Sequence, residues 1–210
     1  RMSEVRVLIV EDEPLIAEDI ATALANNDFN VSGIAYSMED ALDELKRNLP
    51  DLVLLDINLN GGEEGIEIAH EINARYSLPF VFLTSYSDKI TLLHAKNTEP
   101  AGYVVKPFTD AGLYATLEIA LFNHTQKNKH LFPELTLEKI NSVLTNKLSD
   151  REFDVTRLIY DGKTNNQIAE TLFVSINTIK AHIKNIYLKL DADSRSTVLA
   201  RLRELLETKV

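Results

Sequence analysis

The sequence predicts two domains of different class: an α/β domain on a doubly wound, five-stranded parallel sheet, followed by an all-α domain of four helices. Three observations predict this. Five short apolar runs rich in β-branched residues alternate with helical stretches over residues 1–125. Beyond them no strand pattern recurs, and two S/T-x-x-E/Q signatures mark helix starts. The charge is also divided, with 21 acids and 8 bases in residues 1–125 against 11 acids and 14 bases in residues 126–210. The halves thus carry −13 and +3 within a whole-chain charge of −10.

The elements follow in order. Residues 5–10 (VRVLIV) form a nearly continuous apolar run, as expected of a strand buried on both faces. Pro14 suits the first turn of a helix in which Leu15, Ile16, Ile20 and Leu24 are expected along one side. Further strands are expected at 31–36, 52–55, 80–84 and 102–105, with helices near 38–47, 64–76, 88–97 and 109–125. In the second half, helices are expected near 150–161, 165–172, 176–190 and 195–207, with Ser149/Glu152 and Thr164/Gln167 as capping boxes. The expected domain bounds are 3–125, a linker at 126–147 with one short helix near 135–144, and 148–210.

Composition narrows the function classes. Hydrophobic residues at 45% and charged residues at 26% are ordinary globular values. No apolar run is long enough to cross a bilayer, and no charged segment precedes an apolar one at the start. Arg1, ahead of Met2, is set aside as an expression remnant. The absence of Cys excludes disulfides, thiolate metal sites and a cysteine nucleophile. The expected setting is the cytoplasm. An acidic chain argues against nucleic acid until its halves are taken separately.

Parallel sheets place ligand chemistry at the carboxyl ends of their strands. There this sequence carries Glu11, Asp12 and Glu13 after the first strand and Asp56 after the third. Carboxylates converging in one crevice repel, and a divalent cation or raised pKa values relieve this. Mg²⁺ suits such a set because it takes carboxylate oxygens and keeps several waters. The fourth strand ends at Thr84, and Lys106-Pro107 follows the fifth. A hydroxyl and an ammonium facing a metal-bound carboxylate make a site for a transferring phosphoryl group, with Asp56 as nucleophile. A flavin-type phosphate loop is incompatible with Glu11-Asp12-Glu13, and an Asp-nucleophile phosphatase would need a second Asp where Asn58 stands.

Glu11-Asp12, Asp56, Thr84, Lys106-Pro107-Phe108, the turn at 58–62 and Tyr103 together resemble the receiver domain of two-component response regulators, over residues 4–125. The resemblance implies a flavodoxin-like fold and phosphoryl transfer from a histidine kinase to Asp56. It also implies Mg²⁺ held by Glu11, Asp12, Asp56 and the Asn58 backbone carbonyl, with Thr84 and Tyr103 as switch residues. Ser85 departs from the smaller Ala common after the switch Thr. Bulky Tyr86 is expected to shield the aspartyl phosphate and slow its loss.

In the second half, 166–189 reads as helix, turn, helix. Ile176, Ile179, Ile183, Ile186 and Leu190 lie along one stripe of the second helix, with Asn177, Lys180, Ala181 and Lys184 on or flanking the opposite side. From Ser175 to Leu190 there are three lysines and no acid. A helix-turn-helix lays such a helix in the major groove. Lys180 and Lys184 are then expected on guanine or phosphate, Ala181 near a thymine methyl, and Asn165 and Asn166 on phosphate. His182 flanks the apolar stripe, where packing and a phosphate contact are both compatible. Leu188 projects outward without an evident role.

Leu148 to Glu152, Asn165 to Ala169, Val174 to His182 and Asn185 to Leu190 resemble the LuxR-type DNA-binding domain, over residues 147–207. In that family the last helix commonly pairs two subunits, and Val198, Leu199, Leu202, Leu205 and Leu206 exceed one core-facing stripe. The joint expectation is a phosphorylation-controlled, double-stranded-DNA-binding transcription regulator, homodimeric when active and catalytic only in its own phosphorylation and dephosphorylation. A phosphorylation-gated module with a protein-binding tail is the alternative.

Overall fold

The structure is a computed structural model, described for residues 4–25, 28–85, 89–129 and 134–207. The chain divides into two compact units, Val5–His124 and a second from Thr125 onwards.

The first unit holds strands β1 (Val5–Val10), β2 (Phe29–Ala35), β3 (Leu52–Asp56), β4 (Phe80–Thr84) and β5 (Gly102–Val105). They form one sheet in the order β2-β1-β3-β4-β5, and every pairing is parallel. Helices α1 (Pro14–Leu24), α2 (Met38–Arg47), α3 (Glu64–Arg75) and α4 (Lys89–Lys96) connect them, and α5 (Asp110–Asn128) follows β5. Alternate side chains of each strand enter different cores, because a strand's residues point to opposite faces with a period of two. Leu8, Val10, Val53 and Leu55 join α2 and α3 on one face. Val7, Ile9, Leu52 and Leu54 join α1 and α5 on the other. Burial on both faces explains why β1, β3 and β4 read as continuous apolar runs.

The second unit holds α6 (Leu137–Val143), α7 (Asp150–Tyr160), α8 (Asn165–Leu172), α9 (Ile176–Leu190) and α10 (Arg195–Glu207). Both expected capping boxes are formed, at Ser149/Glu152 and Thr164/Gln167. Ser175 caps α9 by accepting from the Thr178 N–H at 3.1 Å. Ile168, Ile179, Ile183, Ile186, Val198 and Leu202 are fully buried at its centre.

Three expectations are corrected. Leu15 is 77% exposed, and α1 instead buries Ala17, Ile20, Ala23 and Leu24. α5 runs three residues past its expected end, to Asn128. The short helix assigned to the linker is α6, whose Ile140 is fully buried among α7, α9 and α10 side chains. The Asn141 amide fixes it by donating to the Leu148 carbonyl at 3.0 Å and accepting from the Leu148 N–H at 2.8 Å. α6 therefore belongs to the helical core, which absorbs Leu199 and Leu205 of α10 as well.

Candidate phosphoacceptor site and nucleic-acid interface

Strand register assembles the first site. Val10 pairs with Leu55, Asp56 with Leu83, and Thr84 with Val105. The residues that end or follow β1, β3, β4 and β5 therefore share one rim, beside the point where strand order reverses between β1 and β3. Glu11, Asp12 and Asp56 each bring a carboxylate oxygen to within 4.8 Å of the others. Lys106 bridges two of them, its Nζ lying 2.9 Å from Asp56 Oδ2 and 3.1 Å from Glu11 Oε2. The Lys106-Pro107 peptide is cis.

Asp56 is 5% exposed, and its Oδ1 accepts from the Asn58 N–H at 2.9 Å, which fixes the carboxylate's orientation. The Asn58 carbonyl accepts from the Gly61 N–H at 2.9 Å. Glu11 is fully buried, and its Oε1 accepts from the Glu13 N–H at 3.1 Å. Burial pushes the Glu11 carboxyl up to about 7, with help from the Asp56 charge and against the Glu13 N–H and Lys106. Burial lowers the Lys106 ammonium, but the Asp56 and Glu11 carboxylates outweigh it and hold the group above its usual value. The donor set is hard oxygen with an excess of negative charge, which fits Mg²⁺.

Thr84 is 2% exposed, and its hydroxyl donates to the Ser85 carbonyl at 3.3 Å. Tyr103 is half-buried and stacks on Phe82 with ring centroids 6.1 Å apart. Burial raises its phenol. Tyr86 lies outside the described residues.

Gly65, in the first turn of α3, escaped the motif reading. A Cβ there would stand 2.0 Å from the Asp56 carbonyl oxygen and 3.0 Å from that of Ile57. α3 thus rests directly on the main chain of Asp56, a close approach that only glycine permits. The neighbouring pair Gly61-Gly62 carries the turn signal, whereas nothing in the sequence marks Gly65 as a contact.

The second site lies on α9. Asn177, Ala181 and Lys184 are exposed, Lys180 and His182 are half-buried, and Ile179, Ile183, Ile186 and Leu190 face the core. Asn166 is exposed in the first turn of α8. Asn165 is not available for phosphate. It is fully buried, and its Oδ1 accepts from Arg195 Nη2 at 2.7 Å, while Arg195 Nη1 donates to the Lys163 carbonyl at 2.6 Å. The Asn165 side chain therefore ties the start of α8 to α10. Lys189 is likewise committed inward, to Glu152 at 2.7 Å and the Lys147 carbonyl at 2.9 Å. Burial favours the neutral Glu152, but Lys189 and the Ser149 N–H outweigh it and hold the carboxyl below its usual range.

Comparison with known proteins fits this division. The family described as response regulator receiver domain matches residues 7–118, and bacterial regulatory proteins, luxR family, matches residues 146–202. Oxygen regulatory protein NreC of Staphylococcus haemolyticus is 28% identical over 201 residues, covering 90% of this chain and 93% of the relative. Transcriptional regulatory protein LiaR of Bacillus subtilis is 28% identical over 198 residues, covering 91% and 93%. Among solved structures, the signal receiver domain of a modulated diguanylate cyclase from Desulfovibrio desulfuricans G20 aligns with a TM-score of 0.55 at 33% identity, over 59% of this chain and 98% of that one. Full-length FixJ from B. japonicum aligns over 99% of this chain and 100% of its own, with a TM-score of 0.54 at 21% identity, and so shares the fold. The chain belongs to the response regulators, with a receiver domain followed by a luxR-family DNA-binding domain.

Proposed function

We propose that a histidine kinase phosphorylates Asp56 in the cytoplasm, and that this modification controls binding of the α9 face to double-stranded DNA. The observation that carries the reading is Lys106 bridging Asp56 and Glu11 with the Asp12 carboxylate alongside. Glu11, Asp12, Asp56 and the Asn58 carbonyl would hold Mg²⁺, which would supply positive charge beside the oxygens of the incoming phosphoryl group.

An Asp56 oxygen forms the new bond to phosphorus as the donor's bond to phosphorus breaks, and the leaving group departs with the electron pair. The Asn58 N–H holds one carboxylate oxygen in orientation, and Lys106 presents its ammonium to the other. The Thr84 hydroxyl exchanges the Ser85 carbonyl for a phosphoryl oxygen, and Tyr103 follows by repacking against Phe82. This is the only catalysis in the reading, confined to the receiver's own phosphorylation and dephosphorylation. Phosphate shifts an existing equilibrium between two states of the protein, and the active state is a homodimer on paired half-sites.

The acid-free run from Ser175 to Leu190, with Lys180 and Lys184 on its outward half, supports DNA over a protein partner. A duplex-binding titration over rising salt tests this. DNA binding weakens steeply with salt, whereas a salt-insensitive complex would point to a protein-binding tail.

A further inference from the structure

Among the described residues of the helical unit, the most exposed large apolar side chains are Phe173 at 94% and Leu188 at 73%, and they flank or lie on α9. A lone exposed leucine ordinarily needs no explanation. The position of Leu188 on its helix sets it apart. At 100° per residue, Asn177, Ala181, Lys184 and Leu188 fall within about 60° of one another. The first three are exposed, and the buried Ile179, Ile183, Ile186 and Leu190 occupy the other side. Leu188 is therefore at the angular centre of the stripe that the DNA-binding reading turns toward base edges, in the last turn of α9, and that stripe carries lysine and no acid.

The major groove offers one apolar group on its base edges, the C5-methyl of thymine. We infer that Leu188 is a specificity-determining residue that takes a thymine methyl in the major groove. The inference rests on the DNA-binding reading and deepens it. Ala181 and Leu188 are separated by about 10 Å along the helix axis, or roughly three base-pair steps. The two side chains thus read different pairs of one half-site. Leu188 also discriminates by exclusion. Cytosine at that position would set its N4 amine against a side chain with no acceptor, leaving a donor unpaired.

The test uses the full chain with Mg²⁺ and a small acyl phosphate. Duplexes are selected from a random pool, and each thymine is then replaced singly by uracil, which removes only the C5-methyl. The wild type is expected to lose roughly fourfold in affinity at the thymine facing Leu188 in each half-site, the effect of one methyl group removed from water. Leu188→Ala is expected to bind the thymine duplex about fourfold more weakly and no longer to distinguish uracil there, with the remaining thymines unaffected. Its melting temperature should match the wild type, since Leu188 is exposed. A Leu188→Ala profile identical to that of the wild type overturns the inference, as does a wild type with no methyl-sensitive thymine. Failure of the wild type to select any duplex overturns the DNA-binding reading itself, and this inference with it.

Discussion

Individual side chains decide the chemistry of the receiver. Asp56 is oriented through one oxygen by a backbone N–H and charged through the other by Lys106, so each oxygen has a fixed role. Gly65 contributes by the atom it lacks. Gly65→Ala forces α3 off the Asp56 carbonyl. The variant should take phosphate from a small donor roughly tenfold to a hundredfold more slowly, with its circular dichroism retained. A wild-type rate would show that α3 does not orient Asp56. In the helical unit, Glu152 has a lowered folded-state pKa against a usual value of 4.5. The unfolded chain therefore binds the proton more tightly, so the stabilisation is present above about pH 4.5 and is lost as pH falls through the lowered value. Melting of the helical unit should drop over that acid range, and Glu152→Gln should flatten the dependence. An equally steep drop in the variant would assign it to other groups.

At the level of elements, two helices carry the predictions. α6 was read as linker because its sequence is short and only weakly amphipathic, yet Ile140 is fully buried in the second core. Ile140→Ala should cost the helical unit about 2–5 kcal/mol, measured by denaturant unfolding. A loss under 1 kcal/mol, as roughly expected of a surface site, would return α6 to the linker. On α9, Lys180→Ala with Lys184→Ala should weaken binding across all duplex sequences and lower the salt slope by about two. An unchanged slope would place the phosphate contacts elsewhere. Much of this was legible in the sequence, because strand ends and capping boxes are local signals. Glu11, Asp56, Thr84 and Lys106 each terminate or follow a strand that reads plainly, and parallel register does the rest. What could not be read depends on tertiary packing. Nothing local distinguishes buried Asn165 from exposed Asn166, or Lys189 on Glu152 from Lys184 on the surface. Leu15 matched the helical period and still faces outward, because Ala17 takes the place against the sheet.

For the whole molecule, the net charge of −10 conceals its organisation. One unit gathers the carboxylates of Glu11, Asp12 and Asp56 at its strand ends, while α9 of the other carries lysine and no acid from Ser175 to Leu190. In the function proposed for this response regulator, charge on Asp56 is the signal and duplex affinity the output. The most direct test is duplex binding by the full chain, with and without a small acyl phosphate plus Mg²⁺, for the wild type and Asp56→Asn. The wild type should bind more tightly when the donor is present, and Asp56→Asn should show the same affinity with and without it. A donor-dependent gain in Asp56→Asn equal to that of the wild type would contradict the assignment of Asp56 as the acceptor that controls DNA binding.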